Sequence, residues 1–391
     1  MEKTDFNVIT GVNAVTDNAD KFKELGKMAM IVTGRHSSFE NGSADDVKAA
    51  LEKVGIGYVI FSDIEENPSV ETVYAAASAA VKYGVDMFVG VGGGSPMDAA
   101  KAISLLAKNG VVQDNAECSA DGKIVHVIST DIDSRLKAVY DFLYTPAKLP
   151  YYPVACVATT SGTGSEATPY SILTSHIKKT KKSIAHKIMP CLAFDDPTYL
   201  KSASYKLMKS SCVDALAHMI ESRLNTNANS FSIEYAEKGL KLWAECKGCL
   251  ESEKSFEKIT DEQYATFMEA SALAGMAIAY TGTSLPHGLS YAFTYNKGIA
   301  HGKAVGVFLP GFVKNYGDSA LVMHILRDLL GFESVSAFRN YIRGLFGKLE
   351  NYDDVWEKGR DGLLLNPAKL KNYPYEINAD ILDDYIEFYN K

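Results

Sequence analysis

Short apolar runs alternate with amphipathic stretches through the first half of the chain, and this alternation limits the possible folds more than any other feature. Each run has four to six residues, a length typical of strands that are buried on both faces. The stretches between the runs have helical periodicity. The predicted strands cover residues 28–33, 57–61, 87–91, 154–158 and 191–194, and the predicted helices include 44–54 and 70–83.

This alternation predicts a parallel sheet with helices on both faces and right-handed crossovers. From about Lys201 it stops, and residues 207–223, 232–246 and 261–280 all have helical periodicity. At 391 residues the chain also exceeds one ordinary hydrophobic core. We therefore predict an α/β domain over residues 1–198 and an all-α domain over residues 199–391.

The composition excludes several classes of partner. Hydrophobic content of 47% and charged content of 23% are typical of globular proteins. A net charge of −8 argues against nucleic acid or an anionic membrane as a partner. Residues 1–5 contain no apolar stretch behind a basic start, and the 6 Cys are scattered, so we expect a cytoplasmic protein without a secretory signal.

A glycine-rich loop directly follows the third predicted strand. Gly92, Gly93 and Gly94 let backbone N–H groups approach an anion closely. Ser95 can cap the next helix and Pro96 suits its first position, so the helix N-terminus would face the same anion. The loop predicts a diphosphate site, and the alternative is a plain strand-to-helix turn.

A second polar loop, residues 159–166, follows the strand at 154–158. It alternates hydroxyl and glycine residues, which suits a polar ligand lying across strand ends. Two such loops at the carboxyl ends of neighbouring parallel strands are typical of a dinucleotide site. Glu166 at its end could be a catalytic acid, but we expect it to accept hydrogen bonds from the loop backbone.

Four residues of the second half suit a metal site. Asp214 and His218 are four residues apart in a predicted helix and therefore share one face. His287 and His301 follow, each directly before a glycine. One carboxylate and three imidazoles suit a divalent transition metal such as iron or zinc. The alternative is that the Asp214–His218 pair belongs to a solvated helix surface.

Together these motifs resemble those of the iron-containing (group III) alcohol dehydrogenases, in order and approximate spacing, from about Val32 to Pro310. The resemblance implies a Rossmann-like, dehydroquinate synthase-like α/β domain, a helical domain, and a metal in the cleft. It implies that Asp214, His218, His287 and His301 are the metal ligands. It implies cofactor-binding roles for Gly93, Gly94, Ser95 and Asp98 at the diphosphate, for Thr159, Thr160 and Thr163 in the crevice, and for Lys182 at the ribose.

The chain departs from the family pattern in two places. Many members carry a further histidine four residues after the third ligand, near the nicotinamide and the substrate, whereas this chain has Tyr291. We expect Tyr291 to pack rather than to transfer protons. Residues 121–144 look like an insertion. For Lys182 the alternative to a cofactor role is a solvated hairpin over residues 178–182.

The end of the first predicted strand bears on the choice of nicotinamide cofactor. NAD enzymes usually place an acid near this point to bind the ribose 2′-OH. This chain has Gly34, followed by Arg35, Ser37 and Ser38. Small, cationic and hydrogen-bonding residues suit a 2′-phosphate, so we predict that NADP(H) is favoured over NAD(H).

The predicted function is hydride transfer between NADP(H) and an alcohol/aldehyde pair, with Fe²⁺ or Zn²⁺ as the metal. A glycerol or polyol dehydrogenase and a dehydroquinate synthase-like lyase are the alternatives on the same scaffold. The lyase would need a cluster of Lys and Arg around the metal, which is not evident beside His287 or His301. A non-catalytic metal- or nucleotide-binding protein is a further alternative. We expect a homodimer, because sheet edges are often paired between subunits.

Overall fold

A computed structural model describes residues 4–111, 116–118, 124–127, 132–176, 178 and 180–391. The chain forms two compact units. The α/β unit contains the described chain up to Thr160 together with Ser165–Ser202. The helical unit contains Ser161–Gly164 and Ala203–Lys391.

The α/β unit is built on a six-stranded parallel sheet. Its central strands are buried along nearly their whole length, which explains their continuous apolar sequence. Numbered along the chain, the strands are β1 (Val8–Thr10), β2 (Met28–Thr33), β3 (Gly57–Phe61), β4 (Met87–Gly92), β7 (Val154–Ala158) and β10 (Leu192–Asp195). Two antiparallel hairpins complete the unit, β5 (Ala116–Cys118) with β6 (Ile124–Val127) and β8 (Ile172–Ser175) with β9 (Thr180–Ser183).

The strand order of the sheet is β1-β10-β7-β4-β2-β3. The chain adds β3 on one side of β2 and β4 on the other, so the order reverses between β2 and β4. In open α/β sheets, ligands bind at the carboxyl ends of the strands at such a reversal. Thr33 pairs with Val91 there, which places Gly34 and the glycine loop after β4 side by side.

Helices connect the strands of the α/β unit. Ser69 begins one of them by accepting a hydrogen bond from the Thr72 amide at 3.1 Å. The segment 121–144, which we expected as an insertion, lies partly outside the described residues, and its described part contains β6 and a helix. The helices are α1 (Ala14–Asp17), α2 (Ser37–Glu40), α3 (Ser43–Lys53), α4 (Val70–Lys82), α5 (Gly94–Lys108) and α6 (Ile132–Tyr144), with 3-10 segments at Ala19–Glu24, Ser165–Ala167 and Pro197–Ser202.

The described part of the helical unit contains helices and no strand. Its two longest helices contain long buried stretches, because other helices of the unit pack against them. The helices of this unit are α7 (Tyr205–Arg223), α8 (Ser230–Cys246), α9 (Glu253–Phe256), α10 (Asp261–Thr281), α11 (Leu285–Lys297), α12 (His301–Gly306), α13 (Leu309–Lys314), α14 (Ser319–Met323), α15 (Val335–Phe346), α16 (Asp353–Leu364), α17 (Pro367–Leu370) and α18 (Ala379–Asn390), with a 3-10 segment at Lys247–Leu250 and a π-helical segment at His324–Leu329.

The predicted fold class, a parallel α/β part followed by an all-α part, is confirmed. Within the described residues, no helix is both long enough and apolar enough to cross a membrane.

Candidate metal centre and cofactor-binding residues

Helix α7 carries the first two candidate ligands. The helix begins after Ser204, whose hydroxyl accepts a hydrogen bond from the Leu207 amide at 3.2 Å. Asp214 and His218 lie one turn apart on a buried face, with 3% and 5% of their surfaces exposed. The alternative of a solvated helix surface is therefore excluded for this pair.

Helices α11 and α12 carry the other two. His287 lies in the first turn of α11 and is 2% exposed, and His301 is the first residue of α12. Gly302 lets α12 approach α7, because a Cβ at this position would overlap the carbonyl oxygen of Ser210. Gly302 thus allows His301 to lie next to Asp214.

Nitrogen atoms of the three candidate histidines converge on Asp214 Oδ1. The Nε2 atoms of His287, His301 and His218 lie 3.3, 3.7 and 3.9 Å from it. Ligand atoms of Asp214, His218 and His287 all lie within 4.8 Å of one another. The rings of His218 and His287 stack with centroids 4.5 Å apart, and those of His287 and His301 meet edge-to-face at 5.4 Å.

The electrostatics of the centre follow from burial and close charges. Burial alone would raise the pKa of Asp214, but attraction to His218 and His301 and a contact with His287 hold it below its ordinary range. Burial lowers the pKa of His218 to about 4 against the attraction of Asp214. Burial alone would also lower the pKa of His287. The charge of Glu221 and the contacts with Asp214 and Glu221 outweigh burial and raise this pKa to about 9.

The donor set fits a divalent transition metal. Asp214 Oδ1 and His287 Nε2 are buried and have no well-aligned hydrogen bond to any described residue, although they face each other at 3.3 Å. Buried polar atoms are nearly always partnered. A cluster of nitrogen and carboxylate-oxygen atoms is the ligand type that zinc and ferrous iron accept.

Glu221 belongs to this centre but was not among the residues predicted from the sequence. It lies on α7 seven residues after Asp214 and is fully buried. Its Oε1 atom is hydrogen-bonded to Nδ1 of His287. The signal was available, because two helical turns after Asp214 the chain returns to the same face.

The first glycine loop begins its helix earlier than predicted. Helix α5 starts at Gly94 with Gly93 as its N-cap, so Ser95 is not the cap and Pro96 is not its first residue. That part of the prediction is wrong, because the backbone already turns helical within the glycines. The Ser95 hydroxyl instead accepts a hydrogen bond from the Asn67 amide at 3.1 Å.

Asp98 is bound within the α/β unit. Its carboxylate accepts hydrogen bonds from the Ser165 hydroxyl at 2.5 Å and the Ile172 amide at 2.9 Å, and Lys101 lies 3.5 Å away. These partners join α5 to the chain that follows β7. Asp98 therefore ties α5 to the chain after β7, and its role at the diphosphate stays a prediction.

The second loop is divided between the two units. Thr159 and Thr160 belong to the α/β unit, where Thr160 lies against Gly93 and the Thr159 amide donates to the Gly92 carbonyl oxygen at 3.0 Å. Thr163 belongs to the helical unit with Gly162. A Cβ at Gly162 would come within 2.6 Å of the Ser211 carbonyl oxygen, so this glycine permits the close approach to α7.

Glu166 does not have the predicted capping contacts. Its side chain is buried at 3% exposure, and neither carboxylate oxygen has a well-formed hydrogen bond to a described residue.

The residues after β2 have different surroundings. Gly34 is half-buried and Ser37 is exposed. Arg35 is exposed and pairs with Asp63, with 3.0 Å between Nε and Oδ1. Ser38 is buried, and its hydroxyl donates to the Val91 carbonyl oxygen at 3.0 Å, so it holds the two strand ends together.

Two neighbouring lysines of β9 have different partners. The Lys182 ammonium lies 4.3 Å from the ring centroid of Tyr144, as in the hairpin alternative. The Lys181 ammonium donates to Asn67 Oδ1 at 2.5 Å, and Asn67 contacts Ser95. Side chains alternate along a strand, so only one of the two lysines can lie near the glycine loop.

Tyr291 lies beside the metal-ligand candidates. Its ring is nearly parallel to that of His301, with centroids 6.1 Å apart and 8° between the planes. Lys369 lies on α17, and its ammonium is 5.6 Å from the ring centroid of Tyr291. It donates a hydrogen bond to the Thr283 hydroxyl.

Comparisons with known proteins agree with this arrangement. The sequence model described as iron-containing alcohol dehydrogenase matches residues 6–197, and that for the C-terminal part of the Fe-containing alcohol dehydrogenase family matches residues 208–353. The long-chain primary alcohol dehydrogenase AdhA of Thermoanaerobacter ethanolicus is 27% identical over 316 residues, which are 80% of this chain and 72% of that protein. Alcohol dehydrogenase 4 of Schizosaccharomyces pombe is 28% identical over 306 residues, which are 78% of this chain and 65% of that protein.

Solved structures extend the similarity to nearly the whole chain. The crystal structure of an iron-containing alcohol dehydrogenase superposes with a TM-score of 0.85 at 33% identity, covering 99% of this chain and 98% of the other. An iron-containing alcohol dehydrogenase of Thermotoga maritima gives a TM-score of 0.84 at 33% identity, covering 100% and 99%. These relatives do not favour the polyol dehydrogenase or lyase alternative. The chain belongs to the iron-containing alcohol dehydrogenase family and is an oxidoreductase of the alcohol dehydrogenase type.

Proposed function

We propose that Asp214, His218, His287 and His301 bind one divalent ion, iron or zinc, and that the protein interconverts aldehydes and alcohols with NADP(H). The convergence of three imidazole nitrogens on the buried Asp214 Oδ1 is the observation that carries this proposal. Zinc binds such sites more tightly than ferrous iron, so the metal found after purification depends on supply as well as on the site.

Bound at these residues, the metal would polarise the substrate oxygen as a Lewis acid, while the nicotinamide carries the hydride. The protein contributes position and exclusion of water. The His218 ring is held through Nδ1 by the Gly162 carbonyl oxygen at 3.2 Å. The His301 side chain is 25% exposed, against 7% or less for the other three, so substrate reaches the centre from the side of His301.

For the cofactor, we propose that the loop after β4 holds the diphosphate. The first turn of α5 presents backbone N–H groups of Gly94 and Ser95 and the positive end of a 15-residue helix. Gly93, Thr159 and Thr160, all in the α/β unit, would line the same site. Asp98 would act through the loop rather than on the cofactor.

For the ribose side we propose Lys181 in place of Lys182. Lys181 reaches the Asn67–Ser95 contact beside the glycine loop, whereas Lys182 packs on Tyr144. Lys181→Met should raise the cofactor KM at least tenfold, and Lys182→Met should leave it nearly unchanged. Equal effects of the two substitutions would contradict the assignment.

The proposed preference for NADP(H) rests on Gly34 and Arg35. The ion pair of Arg35 with Asp63 is exposed and is therefore worth at most about 1 kcal/mol, so a 2′-phosphate can compete for the guanidinium. Gly34→Asp should reverse the preference, and Asp63→Asn should strengthen it, as measured by kcat/KM with NADPH and NADH. NADPH favoured equally by all three proteins would refute this reasoning.

The metal proposal is tested by removing the metal and reloading the apo protein with Fe²⁺ or Zn²⁺ without oxygen. We expect NADPH oxidation with aldehydes only after reloading. His287→Ala should lose both bound metal and activity, whereas His324→Ala, which changes a surface histidine, should keep both. Full activity in metal-free protein would overturn the proposal.

A cytoplasmic homodimer stays a prediction from the sequence. Light scattering of the purified protein measures the assembly directly.

A further inference from the structure

Glu221 joins the end of α7 to the start of α11. It is fully buried, lies three residues after His218, and uses both carboxylate oxygens. Oε1 is hydrogen-bonded to His287 Nδ1, and Oε2 accepts a hydrogen bond from the backbone amide of Ser284. One side chain therefore restrains both the ring of His287 and the backbone that leads into its helix.

The contact decides which ring nitrogen of His287 is available to a metal. A carboxylate only accepts hydrogen bonds, so Nδ1 must carry the proton that they share. In the neutral ring that a metal requires, the lone pair is then left to Nε2, which faces Asp214 Oδ1 at 3.3 Å. His218 shows the same arrangement with a neutral acceptor, since its Nδ1 is held by the Gly162 carbonyl oxygen at 3.2 Å.

The backbone contact satisfies one of the amides at the start of α11. Ser284 is the N-cap residue of α11 but makes no side-chain cap bond. Its amide is satisfied by Glu221, so the position of His287 along the helix axis also depends on this carboxylate.

The balance of charge at the centre also favours a role of Glu221 in metal binding. Asp214 and Glu221 are both buried, and two carboxylates balance a divalent cation held by three neutral imidazoles. A buried carboxylate that only closed a helix end would carry an unneeded desolvation penalty, because a neutral side chain could accept the same bond.

We propose that Glu221 is a positioning residue of the metal centre, which fixes the tautomer and orientation of His287 and strengthens its bond to the metal. The inference rests on the proposed metal-binding function. Outer carboxylates of this kind commonly contribute about 10- to 100-fold to metal affinity.

The test uses Co²⁺ as a probe with the full-length protein, freed of metal and kept without substrate or cofactor. The visible absorption of bound Co²⁺ reports the ligand geometry, and competition with a chelator gives the affinity. Glu221→Gln keeps the shape of the side chain but removes its charge. Glu221→Asp keeps the carboxylate. Ser222→Ala is the matched control, because it removes a buried 2.9 Å hydrogen bond with Thr281 from the same turn of α7 without touching a candidate ligand.

We expect Glu221→Gln to bind Co²⁺ about 10- to 100-fold more weakly and with an altered spectrum. Glu221→Asp should recover part of the affinity, and Ser222→Ala should match the unaltered protein in both readouts. Thermal unfolding of each metal-free protein separates loss of folding from loss of the site. A Glu221→Gln protein with the original affinity and spectrum would overturn the inference, as would equal weakening by Ser222→Ala. If the unaltered protein binds neither Co²⁺ nor Zn²⁺, the proposed metal function itself fails.

Discussion

Two buried carboxylates of the α/β unit should make its stability depend on pH. Glu166 lies in the 3-10 segment after β7, Asp195 ends β10, and their exposures are 3% and 0%. None of the four carboxylate oxygens has a well-formed hydrogen bond to a described residue. Burial raises the pKa of Glu166 to about 7, against the pull of its own backbone amide and of Lys101, while nearby Asp98 adds to the rise. Burial, with the charge of Glu166, also raises the pKa of Asp195 well above its usual range.

The direction of this pH dependence follows from the difference in pKa between the folded and the unfolded protein. An acid whose pKa is higher in the folded than in the unfolded protein stabilises the fold fully below the unfolded pKa and loses that contribution as pH rises through the folded pKa. For Glu166 the window runs from its ordinary value of 4.5 to about 7. One pKa unit corresponds to about 1.4 kcal/mol, so the loss across the window is about 3 kcal/mol from this group. Asp195 adds to it in the same direction.

We expect the free energy of unfolding to fall between pH 5 and pH 8, and Asp195→Asn to remove part of that fall. The variant should be more stable than the unaltered protein at pH 8, and this advantage should shrink as the pH falls to 5. Urea unfolding followed by circular dichroism at a series of pH values measures this difference. Glu40→Gln, which removes an exposed carboxylate of the same unit, is the control. Equal stability of the unaltered protein at pH 5 and pH 8, or no gain at pH 8 from Asp195→Asn, would refute the reasoning.

Three further predictions concern the metal centre. Gly302→Ala should reduce both metal content and melting temperature, because α12 must move off α7; full metal occupancy in this variant would contradict the packing argument. Metal affinity, measured by chelator competition, should rise from pH 6 to pH 9, because His287 has a pKa of about 9 in the metal-free protein and must lose its proton, whereas His218, with a pKa of about 4, is already neutral. Tyr291→Phe should keep kcat within about threefold if the ring only packs against His301, and a loss beyond tenfold would show that its hydroxyl takes part.

Local pattern was enough to predict five of the six strands of the sheet and the helices α3, α4, α7, α8 and α10, whereas the three-residue edge strand β1 was not predicted. The runs at β2, β4 and β7 are buried on both faces, so their apolar composition identifies them as strands without reference to partners. Asp214 and His218 are close through helix geometry alone, which the sequence displays directly. Their association with His287 and His301 was a hypothesis from residue type that the family resemblance supported, because no local rule links residues more than sixty positions apart.

What the sequence left open depends on contacts between distant elements. Residue order determines periodicity, and periodicity determines which segments become strands and helices. It does not determine which of two adjacent lysines on β9 lies near the glycine loop, since that depends on how the hairpin packs. Nor does it show that Arg35 meets Asp63, because β3 must first lie beside β2. The partnership of Glu221 with His287 is decided in the same way, since the end of α7 and the start of α11 must come together before the carboxylate and the imidazole can form a hydrogen bond.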